Sequence, residues 1–155
     1  QLPADSLGHR YASLIRQLGY DPEFFRPRPI DTEARWLTQR IATTHDIHHV
    51  ISGFGTAPEG ESGVLAITAA QIGFPAYVLL TSASQLAAFR LQTLRFEALS
   101  RAVAHGMSIG RQARCLAAVR WEEGWERPIS AWRSELGLVD VADLETYGLA
   151  QQLEP

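Results

Sequence analysis

The sequence predicts an all-α fold: a single-domain helical bundle of 155 residues. Apolar residues recur at three- and four-residue steps along most of the chain, whereas no segment shows the strict alternation of a half-buried strand. A domain of this length buries roughly 70% of its unfolded surface, so it needs no covalent crosslinks. The single cysteine, Cys115, excludes an internal disulfide and a multi-cysteine metal cluster.

The first helix is predicted over Leu7–Leu18. Its apolar positions follow a helical spacing behind a cap at Asp5 or Ser6, and Gly19 ends it. Residues 21–29 are punctuated by proline and predict a loop with a short turn at 22–25.

The second helix is predicted to begin at an Asp31 cap and to end near Ser52, because the segment 53–58 is rich in glycine and ends in proline. Residues 62–89 carry no charge, and we interpret them as two buried helices, about 61–72 and 75–88. A membrane span is disfavoured because Gln71, Gly73 and Pro75 interrupt the run.

The remainder predicts helices at about 92–105, 108–117 and 128–136, with Ser108 as a cap and Gly137 as a stop. Residues 119–125 predict a short helix or an ordered turn. No linker or repeat divides the chain, so residues 1–155 are expected to form one domain.

The net charge is −3, from 14 basic and 17 acidic residues. The chain therefore lacks the basic footprint of a nucleic-acid-binding domain, and we expect no nucleic-acid partner. The first ten residues also lack the charged and apolar regions of a secretory signal peptide.

The most informative segment contains His45, Asp46 and His49, followed by Glu61. On a helix, His49 lies about 40° and Asp46 about 100° from His45, so the three side chains share one arc. A glycine-rich loop can return Glu61 to this arc. His48 lies within the apolar stripe and is expected to be a core residue or to support the ligands, with direct ligation ranked lower. Histidine pairs one turn apart clamp divalent ions, which makes a mixed nitrogen and oxygen metal site the favoured interpretation.

This donor set suits Zn²⁺ first, and also Fe²⁺, Mn²⁺ or Co²⁺. Two other metal enzymes rank lower. A phosphohydrolase built on the His-Asp doublet needs a further His and Asp, and the surroundings of His9 and Asp140 give no support. A zincin-type protease has Glu where this chain has Asp46.

The motif His45-Asp46-x-x-His49, with eleven residues before Glu61, resembles the HDxxHx11E signature of the Coq-four family of ubiquinone (coenzyme Q) biosynthesis proteins. The resemblance covers about residues 2–138. Further matches occur in the family's order at Asp21-Pro22, Gln71-Ile72-Gly73-x-Pro75, Gly110-Arg111, Trp125-x-x-Pro128 and Leu136-Gly137.

The resemblance implies an all-helical homodimer in peripheral contact with a membrane, with an apolar ligand cavity for a polyprenyl tail. The location would be cytoplasmic at the inner membrane in a bacterium, or the matrix side in a mitochondrion. The implied partners are a prenylated aromatic or prenyl-lipid ligand and other quinone-biosynthesis enzymes. The resemblance places the divalent ion on His45, Asp46, His49 and Glu61.

The family resemblance also implies removal of the ring carboxyl from a prenylated 4-hydroxybenzoate-derived ring. A bound divalent cation can hold a ring carboxylate or phenolate and stabilise the charge that develops as CO₂ leaves. Oxidative and simple decarboxylation both remain open. The alternative is a non-catalytic scaffold that binds a prenyl lipid and uses the metal only to fix the loop before Glu61.

Overall fold

The computed structural model describes residues 2–20 and 29–138, and within them the predicted all-α fold is confirmed. Six α-helices and two 3₁₀ turns form, with no strand among these residues. The predicted loop at 21–28, Asp140 and the final residues lie outside this part of the chain. The helices are α1 Leu7–Leu18, α2 Glu33–Ser52, α3 Pro58–Ile72, α4 Pro75–Leu91, α5 Thr93–Gln112 and α6 Ile129–Leu136, and the turns are Leu116–Ala118 and Trp121–Glu123.

Most helix ends follow the predicted capping residues. The hydroxyl of Ser6 accepts a hydrogen bond from the His9 amide at the start of α1, and Gly19 ends that helix in the left-handed conformation. Gly137 ends α6 in the same way. The cap of α2 is Thr32 rather than Asp31, because the Thr32 hydroxyl accepts from the Arg35 amide.

The predicted break between residues 105 and 108 is wrong. Helix α5 continues from Thr93 to Gln112, so Ser108 lies inside it and caps nothing. Glycine here serves close packing and does not end the helix. A Cβ at Gly106 would overlap the Gly63 carbonyl oxygen, and a Cβ at Gly110 would lie 2.7 Å from the Ile67 carbonyl oxygen. The two glycines therefore let the backbone of α5 approach α3.

The core sits between α2, α3 and α5 and extends to α1, α6 and the 3₁₀ turns. Helix α3 is buried along most of its length, as predicted. Trp121 and Trp132 pack against each other on one side of the core, and their ring centroids are 5.1 Å apart. The largest fully buried side chains include Trp121, Phe54, Leu7, Leu14, Ile51, Ile67, Leu116 and Leu136.

Helix α4 was expected to be buried and is not. Only Thr81 and Ala88 are buried, whereas Val78, Leu79 and Leu86 are exposed. The sequence is apolar enough for burial, but α4 packs on α3 and α5 along one side only. The predicted apolar cavity is likewise not shown within residues 2–20 and 29–138. None of the helices described is long and apolar enough to cross a bilayer. Cys115, which its size and type would place in the core, is exposed.

Three long polar side chains fix the ends of the central helices. Arg133 of α6 donates from Nε to the Ile51 carbonyl oxygen at 2.8 Å, at the end of α2. Arg40 of α2 donates to the carbonyl oxygens of Ala117 and Val119. The amide of Gln71 donates to the Arg114 carbonyl oxygen and accepts from the Leu116 amide, at 3.0 and 2.9 Å. These bonds hold α2 and α3 in register with the 3₁₀ segment.

Candidate metal centre

The candidate site lies where α2 ends and α3 begins. His45 and His49 are one turn apart on α2, and Glu61 lies in the first turn of α3. Gly53 ends α2 with φ of 84°, a left-handed conformation that suits glycine. The chain then reverses over four residues and re-enters a helix at Pro58, whose fixed φ favours the first helical position.

Two glycines of α3 keep this short loop tightly packed. A Cβ at Gly60 would overlap the backbone of Gly55, so the loop lies directly against the helix that carries Glu61. A Cβ at Gly63 would overlap the Phe54 ring, which is fully buried there. The position of Glu61 relative to α2 is therefore set by backbone contacts.

The three side chains converge on one small volume. His45 Nε2 lies 3.0 Å from Glu61 Oε2, and His49 Nε2 lies 3.3 Å from Glu61 Oε1. The two Nε2 atoms are 3.2 Å apart, and the rings meet edge to face. Within the described residues, His45, His49 and Glu61 form a group of three potential metal ligands. One ligand atom from each residue lies within 4.8 Å of the other two.

The buried ring of His49 is oriented by the loop. Its Nδ1 lies 3.0 Å from the Phe54 carbonyl oxygen. A carbonyl oxygen can only accept, so Nδ1 carries the proton and donates it. The other ring nitrogen, Nε2, faces His45 and Glu61. Metal-binding histidines are commonly oriented by such a bond from the second ring nitrogen.

The carboxylate of Glu61 stays ionised in this environment. Partial burial by itself would raise its pKa, but hydrogen bonds and charge from His45 and His49 outweigh burial and lower the pKa to about 2. An anionic ligand beside two imidazoles therefore exists throughout the physiological range.

The donor geometry fits one divalent ion. Three ligands that each lie about 2.1 Å from a common ion, at angles of roughly 90–105°, would be separated by about 3.0–3.3 Å. The two nitrogens are 3.2 Å apart, and each lies 3.0 or 3.3 Å from a different oxygen of Glu61, so the donors lie close enough together to share one ion. Two imidazoles and one carboxylate also leave coordination positions for water or substrate, as in catalytic zinc sites and the facial triad of non-haem iron.

Asp46, the fourth predicted ligand, is not part of this group. It is buried, with 8% of its surface exposed, and lies beside the site. Burial raises its pKa most; the neighbouring histidines lower it and Glu61 raises it. Burial also raises the pKa values of Tyr11 and Tyr20, and the charge of Asp46 raises them further. Asp46 therefore interacts electrostatically with the histidines and with the two tyrosines, and it lies outside the converging group.

His48 lies in the core, as its position in the apolar stripe indicated. Its exposure is 2%, and its Nε2 lies 3.4 Å from the Thr44 hydroxyl. Burial lowers the pKa of this imidazole to about 3, with the neighbouring histidines and Arg40 adding to the effect. His48 is thus a neutral packing residue and not part of the ligand group.

Sequence reasoning found the three converging side chains but missed the groups that orient them. The Phe54 carbonyl and the Gly55–Gly60 contact have no signal beyond the glycine-rich loop itself. The histidine of the rival phosphohydrolase hypothesis, His9, is exposed on α1, apart from the converging group.

Comparison with known sequences identifies the family of this chain. The profile of the family described as Coenzyme Q (ubiquinone) biosynthesis protein Coq4 matches residues 1–142. The mitochondrial ubiquinone biosynthesis protein COQ4 of Eremothecium gossypii is 34% identical over 148 residues, covering 93% of this chain and 45% of its own length. The mitochondrial COQ4 homologue of Rattus norvegicus is 33% identical over 141 residues, covering 88% and 52%. This chain thus spans about half the length of these relatives.

Comparison with solved structures gives the same result for the fold. A crystal structure of a protein from Nostoc punctiforme, provisionally assigned to ubiquinone biosynthesis, superposes with a TM-score of 0.78 at 31% identity. The match covers 88% of this chain and 64% of that one. With the family profile matched over most of its length, the chain belongs to the Coq4 family of coenzyme Q (ubiquinone) biosynthesis proteins.

Proposed function

We propose that this protein acts in coenzyme Q biosynthesis as a metal-dependent decarboxylase of a prenylated 4-hydroxybenzoate-derived ring. Family membership supports the pathway. The observation that carries the chemistry is the convergence of His45, His49 and Glu61 within 4.8 Å, with the His49 ring oriented by the Phe54 carbonyl.

In this proposal the chain's own residues bind and orient. His45 and His49 present Nε2 atoms, and Glu61 supplies the negative charge that offsets a divalent cation. The Phe54 carbonyl holds the His49 ring in place before any ion binds. The ion, Zn²⁺ or alternatively Fe²⁺, Mn²⁺ or Co²⁺, would supply Lewis-acid stabilisation of the ring carboxylate or phenolate as CO₂ departs. Asp46 is proposed as a fourth ligand or as a carboxylate that positions the ligands.

The partners and location form part of the same proposal. A prenylated aromatic ligand, other quinone-biosynthesis enzymes, a second copy of the chain and a membrane surface are the expected partners. The two relatives compared are named mitochondrial, which favours the matrix side of the inner membrane for a eukaryotic member. A bacterial member would act at the cytoplasmic side of its inner membrane.

A non-catalytic scaffold that binds prenyl lipid is the second candidate. The exposed apolar surface of α4 favours it, because leucines such as Leu79, at 69% exposure, suit an apolar partner. In that case the metal group would only fasten the loop between α2 and α3.

Metal content distinguishes these functions. We expect about one ion per wild-type chain by elemental analysis after incubation with Zn²⁺, Mn²⁺, Fe²⁺ or Co²⁺. His45→Ala, His49→Ala and Glu61→Ala should each weaken ion binding at least tenfold while circular dichroism stays unchanged. The matched control is His9→Ala, which removes an exposed histidine from α1. Asp46→Asn tests the fourth ligand.

Activity is then measured as release of labelled CO₂ from a carboxyl-labelled prenylated hydroxybenzoate, with and without O₂. Release that the ligand variants lose and His9→Ala retains would support the decarboxylase. A folded wild-type protein that binds none of the four ions contradicts it. A Glu61→Ala variant that unfolds, in a metal-loaded protein that releases no CO₂, would favour the scaffold.

A further inference from the structure

Within residues 2–20 and 29–138, the two most exposed large apolar side chains lie at the turn between α4 and α5. Leu91 is 80% exposed and Leu94 is 96% exposed, and Leu86 and Phe89 beside them are 65% and 56% exposed. We call these four residues the hairpin tip. The Phe89 and Phe96 rings meet at 5.4 Å, and Gln85 donates to the Ser100 hydroxyl, so the two helices are joined just behind the tip. The tip is therefore a fixed apolar projection.

The apolar surface continues around most of α4. With 100° per residue, its exposed positions run from Val78 through Phe89, Leu86 and Leu79 to Leu91, an arc of about 220°. Within that arc only Ser82 and Arg90 are polar. A flat protein partner covers about half of a helix, whereas the interior of a lipid leaflet surrounds what enters it. The width of the arc and the projecting tip both favour the interior of a lipid leaflet over a flat protein surface.

The charges near the tip favour an anionic surface. Residues 62–96 contain no acidic side chain, although the whole chain has a net charge of −3; the next acidic residue, Glu97, is exposed and pairs with Arg101. The charged residues of this stretch are Arg90 and Arg95, one on each side of the turn. Arg95 pairs with Glu59 at 2.6 Å and remains 43% exposed, while Arg90 is exposed on α4. Two copies that met at this tip would place like charges together.

From this geometry we propose that the hairpin tip inserts into the headgroup and acyl boundary of an anionic lipid leaflet. Leu91 and Leu94 enter deepest, Leu86 and Phe89 follow, and the Arg90 guanidinium extends back to the phosphates on its flexible stem. The inference deepens the proposed function, because it assigns a surface to the membrane contact expected there. Basic side chains near an anionic leaflet add to the binding, and this part weakens with salt.

Vesicle binding by the full chain tests the proposal. We expect it to co-sediment with phosphatidylcholine vesicles containing 30 mol% phosphatidylglycerol, and less with pure phosphatidylcholine. The double variant Leu91→Gln/Leu94→Gln should lose at least about tenfold in affinity, since each buried leucine contributes strongly to partitioning. Arg90→Gln should lose about threefold, mainly at low salt. The matched control Ile30→Gln, which removes an apolar residue that is 53% exposed elsewhere, should bind as wild type.

Light scattering and metal content are measured on the same samples, with circular dichroism as the folding control. Wild-type binding that the double variant retains would overturn the proposal, as would a wild-type protein that does not bind anionic vesicles. A double variant that turns from dimer to monomer, with vesicle binding unchanged, would instead assign the tip to a second copy. Metal content should be unchanged in the tip variants, so failure here is distinguishable from failure of the proposed metal site.

Discussion

Helices α3 and α4 are neighbours with similar composition and opposite environments. Together they span the uncharged residues 62–89, yet α3 is buried and α4 is mostly exposed. The difference lies in the neighbours: α3 packs against α2, α4 and α5, whereas α4 packs against α3 and α5 in the part of the chain that the structure describes. Helix α3 also presents Gly63, Ala66 and Ala70 to the two glycines of α5, so these two backbones come close together. Hydrophobicity alone thus does not decide which helix becomes the centre; the helices that surround it do.

The largest expected difference between the helices comes from removing one apolar side chain from each. Ile67→Ala in α3 should lower the free energy of unfolding by about 3 kcal/mol, because Ile67 is fully buried and a cavity remains. Leu79→Ala in α4 should lower it by less than about 0.5 kcal/mol. Urea denaturation of both variants measures this. Equal losses would mean that α4 is also buried in solution.

Adding one methyl group tests the close contact between α3 and α5. Gly106→Ala should lower the free energy of unfolding by about 2–3 kcal/mol, because the Cβ would overlap the Gly63 carbonyl oxygen and the backbone must move. Ser82→Ala, on the exposed arc of α4, serves as the control and should change it by less than about 0.5 kcal/mol. A neutral Gly106→Ala in thermal and urea unfolding would show that the two backbones are further apart.

The smallest expected difference concerns one glutamine on each helix. Gln71→Leu should cost about 1–2 kcal/mol, because it leaves the Leu116 amide and the Arg114 carbonyl without their side-chain partner. Gln85→Leu on α4 removes a single bond to the Ser100 hydroxyl and should cost less than about 1 kcal/mol. Chemical denaturation compares the two. A larger loss at Gln85 would reverse the ranking of the helices.

Local signals predicted much of the fold. Helix α1 was predicted with its observed bounds, because its cap, periodicity and terminal glycine all lie between Ser6 and Gly19. The continuity of α5 could not be predicted, because Gly106 is a helix breaker by propensity and is tolerated only for its contact with α3. The exposure of α4 was missed for a related reason: the sequence of an apolar helix does not show whether other helices pack on all of its sides.

The candidate site divides in the same way. His45, His49 and Glu61 were predicted from spacing, since helix geometry fixes the first two and the glycine-rich loop allows the third to return. Helix geometry put Asp46 on the same arc, but it lies outside the converging group, because its short side chain is turned 100° from His45 around the helix. The Phe54 carbonyl could not be predicted, because a backbone group carries no residue-type signal.

The contact between Gly55 and Gly60 has a thermodynamic consequence. Eleven residues separate His49 from Glu61, and this contact closes their loop by backbone packing alone. Folding therefore already includes the entropic cost of closing this loop, and the binding of an ion needs little further ordering of the chain. The stability added by a bound ion then follows its concentration: about 2.7 kcal/mol at one hundred times the dissociation constant. Availability of the ion, rather than a folding step, would set how much of the protein is loaded.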